Sequence, residues 1–393
     1  MENFKYLIIG GGMTADSAVK GIRKKDKSGT IAIISNEAHP PYDRPPLSKA
    51  LWKGEKEETI WRKTEEQNIT LFLSATAKAI DVESKVVTDE IGEKYSYEKL
   101  LLATGGKVSR LPFNVEGINY YRTYDDYKKL RKQVTSAKNF VVIGGGFIGS
   151  EVAAALAMNG KSVTMIFPED AIGARVYPAD LAQFINNYFI KKGVTLLNKD
   201  GVKNIEKQGD LYSVTTNSGK TIQADGVIAG IGIKPGVELA QSARLDTDNG
   251  IVVNEYLQTS IPDIYAAGDI ANYPDASLEK HRRVEHEDNA NTMGKMAGEN
   301  MAGAKEKYNH LPFFYSDLFE LGYEAVGDLD SRLETVEQWK EPFKEGVVYY
   351  LNKDRLVGVL LWNTWNQVDN ARALIAAKAS YTKDSVLNIL PKP

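Results

Sequence analysis

The chain has 393 residues, 42% hydrophobic and 26% charged, with a formal net charge of -3. That length calls for two or three domains, and the balanced charge argues against nucleic acid as a partner. With no cysteine and only 4 histidines, none at metal-ligand spacing, disulfides, thiolate metal sites and protein-held iron–sulfur clusters are excluded and no metal is expected, so redox chemistry would fall to organic cofactors.

No apolar run approaches the roughly 18 residues of a membrane span. Met1-Glu2-Asn3-Phe4-Lys5 enters a strand almost at once, which leaves no room for a signal peptide and predicts a cytoplasmic location. A strand over 5–9, the loop Gly10-Gly11-Gly12-Met13-Thr14-Ala15, a helix over about 15–24 and a strand over 30–34 form a βαβ opening of Rossmann type. Next comes Pro40-Pro41-Tyr42-Asp43-Arg44-Pro45-Pro46-Leu47-Ser48-Lys49, where the prolines fix φ and predict a stiff course without helix. Alternating sequence over 82–88 and a buried run over 99–103 end in Thr104-Gly105-Gly106.

A second βαβ begins at Phe140. It has the loop Gly144-Gly145-Gly146-Phe147-Ile148-Gly149, a helix over about 147–159 and a strand over 162–167, and the module closes at 226–232. A short strand then ends on Gly268-Asp269, and helix-favouring sequence covers about 286–301. The last eighty or so residues change to aromatic strand patterns, 346–351 and 356–362, and a final helix over about 365–379. The predicted fold is α/β: two Rossmann-like dinucleotide-binding domains plus a C-terminal α+β domain.

Gly10, Gly12 and Ala15 occupy the three small-residue positions of the dinucleotide fingerprint, and Gly144, Gly146 and Gly149 repeat them. The first permits a tight turn, the second lets the backbone approach a pyrophosphate, and the third allows close helix–strand packing. The phosphate then sits on a helix N-terminus. An acid should hold the adenosine ribose after the second strand of each module; either Asn36 or Glu37 serves in the first, and Glu169 in the second. A carboxylate at Glu169 favours NADH over NADPH, unless it is simply a surface acid, and Arg175 would soften that preference. Phe147 is an apolar ring inside a phosphate loop, suited either to stacking on a planar ligand or to plain core packing. Two such loops in one molecule suit electron transfer from a nicotinamide to a bound flavin.

With these motifs in place, the sequence resembles the FAD-dependent pyridine nucleotide-disulfide oxidoreductase superfamily. Pro41-Tyr42-Asp43-Arg44-Pro45-Pro46-Leu47-Ser48-Lys49 resembles the element of ferredoxin and rubredoxin reductases and of apoptosis-inducing-factor-like flavoproteins. Gly144 to Glu151, Arg283-Val284-Glu285-His286-Glu287-Asp288-Asn289-Ala290 and Leu360-Leu361-Trp362-Asn363 tip the likeness toward the latter; monodehydroascorbate reductases share the Val-Glu-His element. The resemblance implies tightly bound FAD in a discontinuous domain of 1–116 and 246–310, NAD(H) in 117–245, and a C-terminal domain of 311–393. It places Asp269, Thr104, Gly105, Arg44, Lys49, Glu285, His286 and Tyr315 about the FAD. Gly232 and Glu324 fall on the nicotinamide side, and Phe147 becomes the ring covering the flavin. Lys49 would pair with Glu151 beside flavin N5, unless the two form only a structural pair. Lys49, Glu151, Phe147 and His286 are thus the implied catalytic group. Two departures are plain: Asn36 stands at the usual ribose acid, and Tyr315 at a usual tryptophan.

The implied activity is hydride transfer from NADH to FAD, then electron delivery to an external acceptor without a protein dithiol: ferredoxin or rubredoxin, a quinone, a monodehydroascorbate-type radical or O2. The alternative is an NADH-responsive redox sensor with slow turnover and charge-transfer-linked dimerisation. Either a monomer or a homodimer is compatible.

Overall fold

The computed structural model describes residues 1–390. Its chain forms two compact units: Met1–Asp43, Glu57–Lys107 and Lys234–Phe313 make the first, and Arg44–Lys56, Val108–Ile233 and Phe314 onward make the second.

In the first unit, the strands Thr70–Phe72, Ile31–Ile34, Glu2–Ile9, Lys94–Leu102 and Ile264–Ala266 run parallel in that order. Both faces are covered, so the strand cores read as unbroken apolar runs: Leu7, Ile8, Ile33, Leu100 and Leu101 are fully buried. An antiparallel pair, Val86–Asp89 and Ala77–Asp81, extends the N-terminal half of Lys94–Leu102. Helices Met13–Lys25 and Glu287–Met301 lie against each other at backbone distance. A Cβ on Gly21 would strike the carbonyl of Lys295, one on Gly294 that of Thr14, and one on Gly298 that of Ala18. The glycines of both helices therefore set how near the first phosphate loop lies to the second helix.

In the second unit, a parallel sheet orders Val194–Asn198, Ser162–Phe167, Asn139–Ile143 and Gly226–Ala229. Three antiparallel strands, Val202–Gln208, Leu211–Thr216 and Thr221–Ala224, form a separate sheet. The C-terminal part is a five-stranded antiparallel sheet in the order Phe313–Leu318, Leu321–Gly327, Arg355–Trp362, Glu345–Asn352, Glu334–Glu341, with helix Val368–Ala376. Its central strands are buried along nearly their whole length.

The proline-rich segment differs from the expected course without helix: it forms two 3-10 turns, Pro45–Leu47 and Ala50–Lys53. Proline's fixed φ is compatible with the first turn of a helix, where no backbone donor is required. The turns are anchored within the second unit, where the indole N–H of Trp52 donates to the carbonyl of Leu47 (2.8 Å) and to the Tyr121 hydroxyl (3.0 Å).

Candidate nucleotide-binding sites

The first phosphate loop joins strand Glu2–Ile9 to helix Met13–Lys25. Gly10 has φ 113° and would strike the Ala103 carbonyl with any Cβ; a side chain is excluded both by conformation and by space. Ala103 precedes Thr104 and Gly105 (φ 63°), so the Thr104–Gly105 turn adjoins the loop. Gly12 caps the helix with no side-chain hydrogen bond, which leaves the first-turn N–H groups available to an anion. Ala15 is fully buried. Gly268 (φ 76°) sits where a Cβ would meet the Thr14 side chain, and this brings the Gly268–Asp269 turn to the same helix start. The guanidinium of Arg283 donates to the Asp269 carbonyl (2.9 Å) and pairs with Glu285 (2.5 Å).

Beyond strand Ile31–Ile34, Asn36 is exposed and Glu37 half-buried. One Glu37 oxygen accepts from the Tyr42 hydroxyl (2.5 Å). His286 caps helix Glu287–Met301. Some of its area remains exposed, yet protein surrounds the imidazole densely enough that burial, aided by the charge of Arg282, pushes its pKa down to about 3. At neutral pH it is an uncharged ring.

Sequence reasoning missed one hub here. Arg62 pairs with Asp16 (2.6 Å) and Asp43 (2.6 Å) and donates to Asn291 (2.9 Å). Asp16, one residue beyond Ala15 and fully buried, also accepts from Thr64 (2.8 Å). The hub ties the start of the phosphate-loop helix to the proline-rich run at Asp43. An aspartate one turn into an apolar-faced helix is the only sequence signal that pointed to it.

The second loop repeats the first. Gly144 (φ 110°) would strike the Gly230 carbonyl with a Cβ, and Gly149 that of Gly144. Gly146 caps helix Phe147–Met158, again without a side-chain cap. A Cβ on Gly146 would meet nothing. Packing does not demand glycine there, whereas close approach of a phosphate to the backbone does. Both loops therefore fit a dinucleotide pyrophosphate. Glu169 follows strand Ser162–Phe167 and is paired with Arg175 (2.6 Å), whose side chain is 82% exposed. Gly232 (φ 92°) also borders open space.

Phe147 is 36% exposed. Its ring meets Phe314 at 5.5 Å, edge to face, which orients it without burying it. One turn on, Glu151 is only 3% exposed, and all its partners lie within the second unit. Lys49 pairs with Oε2 (2.7 Å), Ser48 donates to Oε2 (2.6 Å), and Ser316 donates to Oε1 (2.6 Å). The Lys49 ammonium also lies 5.2 Å from the centroid of Tyr315, so this tyrosine offers a cation–π face where the tryptophan was expected. Arg44 donates to the Arg122 carbonyl (3.1 Å). Glu324, on strand Leu321–Gly327, has a buried Oε2 without a hydrogen-bond partner, and burial raises its pKa against the opposing charge of Arg372.

Two uncapped, glycine-lined helix starts of Rossmann type in one chain define a dinucleotide-dependent oxidoreductase. The chain matches the pyridine nucleotide-disulphide oxidoreductase family over residues 4–294, and the mitochondrion-associated C-terminal region of apoptosis-inducing factor over 297–342 and 337–377. It belongs to that oxidoreductase family, as a flavoprotein that uses FAD and NAD(P)H. It is similar to apoptosis-inducing factor 1, mitochondrial, of Dictyostelium discoideum, at 38% identity over 95% of this chain and 79% of the relative. Peroxisomal monodehydroascorbate reductase 1 of Arabidopsis thaliana is 33% identical over 95% of this chain and 94% of its own. Among solved structures, a covalent putidaredoxin reductase–putidaredoxin complex has a chain matching with TM-score 0.90 and 30% identity, covering 96% of this chain and 94% of that one. Among the described residues, no helix is long and apolar enough to cross a membrane.

Proposed function

We propose that the protein is a cytoplasmic NADH-dependent reductase that delivers electrons singly to an external carrier, with FAD held by 1–116 and 246–310, NADH by 117–245, and 311–393 as the C-terminal domain. The buried Lys49–Glu151 pair carries this reading. A lysine only 11% exposed in its side chain is retained at a helix that begins on a phosphate loop, and its obvious use is to favour negative charge on a neighbouring ring. Bound FAD supplies the hydride acceptor and the step from two-electron to one-electron chemistry.

The chain's own residues orient and tune. The helix start at Gly12 takes the FAD pyrophosphate, with Asp269 and Thr104–Gly105 beside it, and Glu37 rather than the exposed Asn36 holds the adenosine ribose. The helix start at Gly146 takes the NADH pyrophosphate, with Glu169 on its ribose, Gly232 leaving room for the nicotinamide, and Phe147 as the movable cover. His286, uncharged, serves as a shape and hydrogen-bonding element and not as a proton source. With no cysteine in the chain, electrons leave without passing through a protein dithiol. The similarity to a putidaredoxin reductase and to a monodehydroascorbate reductase supports a one-electron acceptor: a small iron–sulfur carrier, rubredoxin included, or an ascorbyl-type radical.

Steady-state turnover with NADH tests this, with a [2Fe–2S] ferredoxin, a rubredoxin, monodehydroascorbate, a quinone and O2 each offered in turn. Fast turnover with one of the one-electron acceptors is expected. Slow turnover with all of them, together with a persistent long-wavelength band after anaerobic NADH addition and a monomer-to-dimer shift, would replace the reductase with the redox sensor.

A further inference from the structure

Glu151 accepts more than its lysine. Its two oxygens are held from opposite sides, Oε2 by Lys49 and Ser48 and Oε1 by Ser316. Ser316 is 1% exposed and lies on strand Phe313–Leu318, 165 residues away in sequence. Its only proton goes to Glu151. On the neighbouring strand Leu321–Gly327, Tyr323 accepts from the Tyr177 hydroxyl (2.9 Å). Both tyrosines are buried, and stacking fixes their rings: Tyr323 lies at 12° to Trp362, and Tyr177 meets Tyr323 edge-on. In a low-dielectric interior a hydrogen bond to the carboxylate counts for more than it would in water.

We propose that Ser316 is a positioning residue that sets how much of the Glu151 charge falls on Lys49. This rests on the reading that Lys49 faces bound flavin. Donors on Oε1 draw part of the carboxylate's charge away from Oε2, which leaves Lys49 less neutralised and better able to stabilise negative charge on a reduced ring. Removing Ser316's hydroxyl concentrates that charge on Lys49, so reduction of the ring becomes less favourable. Ser48 acts on the same carboxylate from the other side.

The experiment is a redox titration of the flavin in the purified holoprotein, with single-turnover reduction by NADH. Ser316→Ala should lower the midpoint potential by about 30 mV, which for a two-electron couple is a tenfold change in equilibrium constant. It should slow flavin reduction about tenfold, with NADH affinity unchanged. Ser48→Ala should shift the potential in the same direction. Ser316→Thr should restore the parent value, and in a Glu151→Gln background Ser316→Ala should have no effect. Unchanged potentials across the series, or a shift that persists in the Glu151→Gln background, overturn the proposal while leaving the reductase intact. A protein that is not reduced by NADH at all overturns the functional reading and this proposal with it.

Discussion

Burial holds the imidazole of His286 uncharged, with its pKa near 3 instead of 6.5, and stability must then depend on pH. Below pH 6.5 the unfolded chain takes up a proton that the folded chain refuses, so stability falls as the pH drops from about 6.5 toward 3. Replacing His286 with glutamine should flatten that slope in urea titrations between these pH values; an unchanged slope would mean that the histidine charges freely in the native protein. Glu169 raises a question of coenzyme choice. Its partner Arg175 is mostly exposed, and an exposed ion pair contributes only about 0–1 kcal/mol. Glu169 is therefore readily released to a ribose, and Arg175 to a 2′-phosphate. Glu169→Ala should reduce the NADH/NADPH ratio of kcat/KM roughly tenfold, the scale of one lost hydrogen bond to a charged group, and Arg175→Ala should raise it. Lys49→Ala should slow flavin reduction by roughly 10²-fold, as loss of a preorganised charge does elsewhere, while NADH affinity changes little; equal stopped-flow rates for variant and parent would remove Lys49 from the chemistry.

At the level of elements, the Arg62 hub stitches helix Met13–Lys25 to Asp43 of the proline-rich run and to helix Glu287–Met301. Asp16 has no exposed side-chain area, so Arg62→Ala leaves a buried carboxylate with only Lys20 and Thr64 to answer it. A loss of about 3–5 kcal/mol is expected, read as a lower unfolding midpoint and easier release of flavin, whereas a loss below about 1 kcal/mol would show that water replaces the guanidinium. The glycine loops were legible in the sequence because glycine there is demanded by backbone conformation and carbonyl contact: Gly10 and Gly144 each combine a positive φ with a colliding carbonyl. Their flanking strands and helices were legible too, since buried parallel strands are apolar throughout. The sheet of Val202–Gln208, Leu211–Thr216 and Thr221–Ala224 was not assigned, because its first strand carries two lysines and a glutamate and the other two are short and rich in threonine and other polar residues, with no long apolar run among them. Arg62 and Ser316 escaped for a different reason: each acts through a partner remote in sequence, and neither residue type announces a buried role.

For the whole molecule, one economy follows from composition and architecture together. A chain without cysteine that carries two glycine-lined helix starts has no dithiol of its own through which to pass electrons. The family's shared fold covers the chain almost from end to end. The most direct measurement is anaerobic stopped-flow mixing of the purified protein with NADH, followed at the flavin absorbance band. A yellow protein whose band bleaches rapidly with NADH, and returns when a one-electron acceptor is added, is the predicted result. A colourless protein that takes up no FAD, or a yellow one whose band NADH leaves untouched, would contradict it.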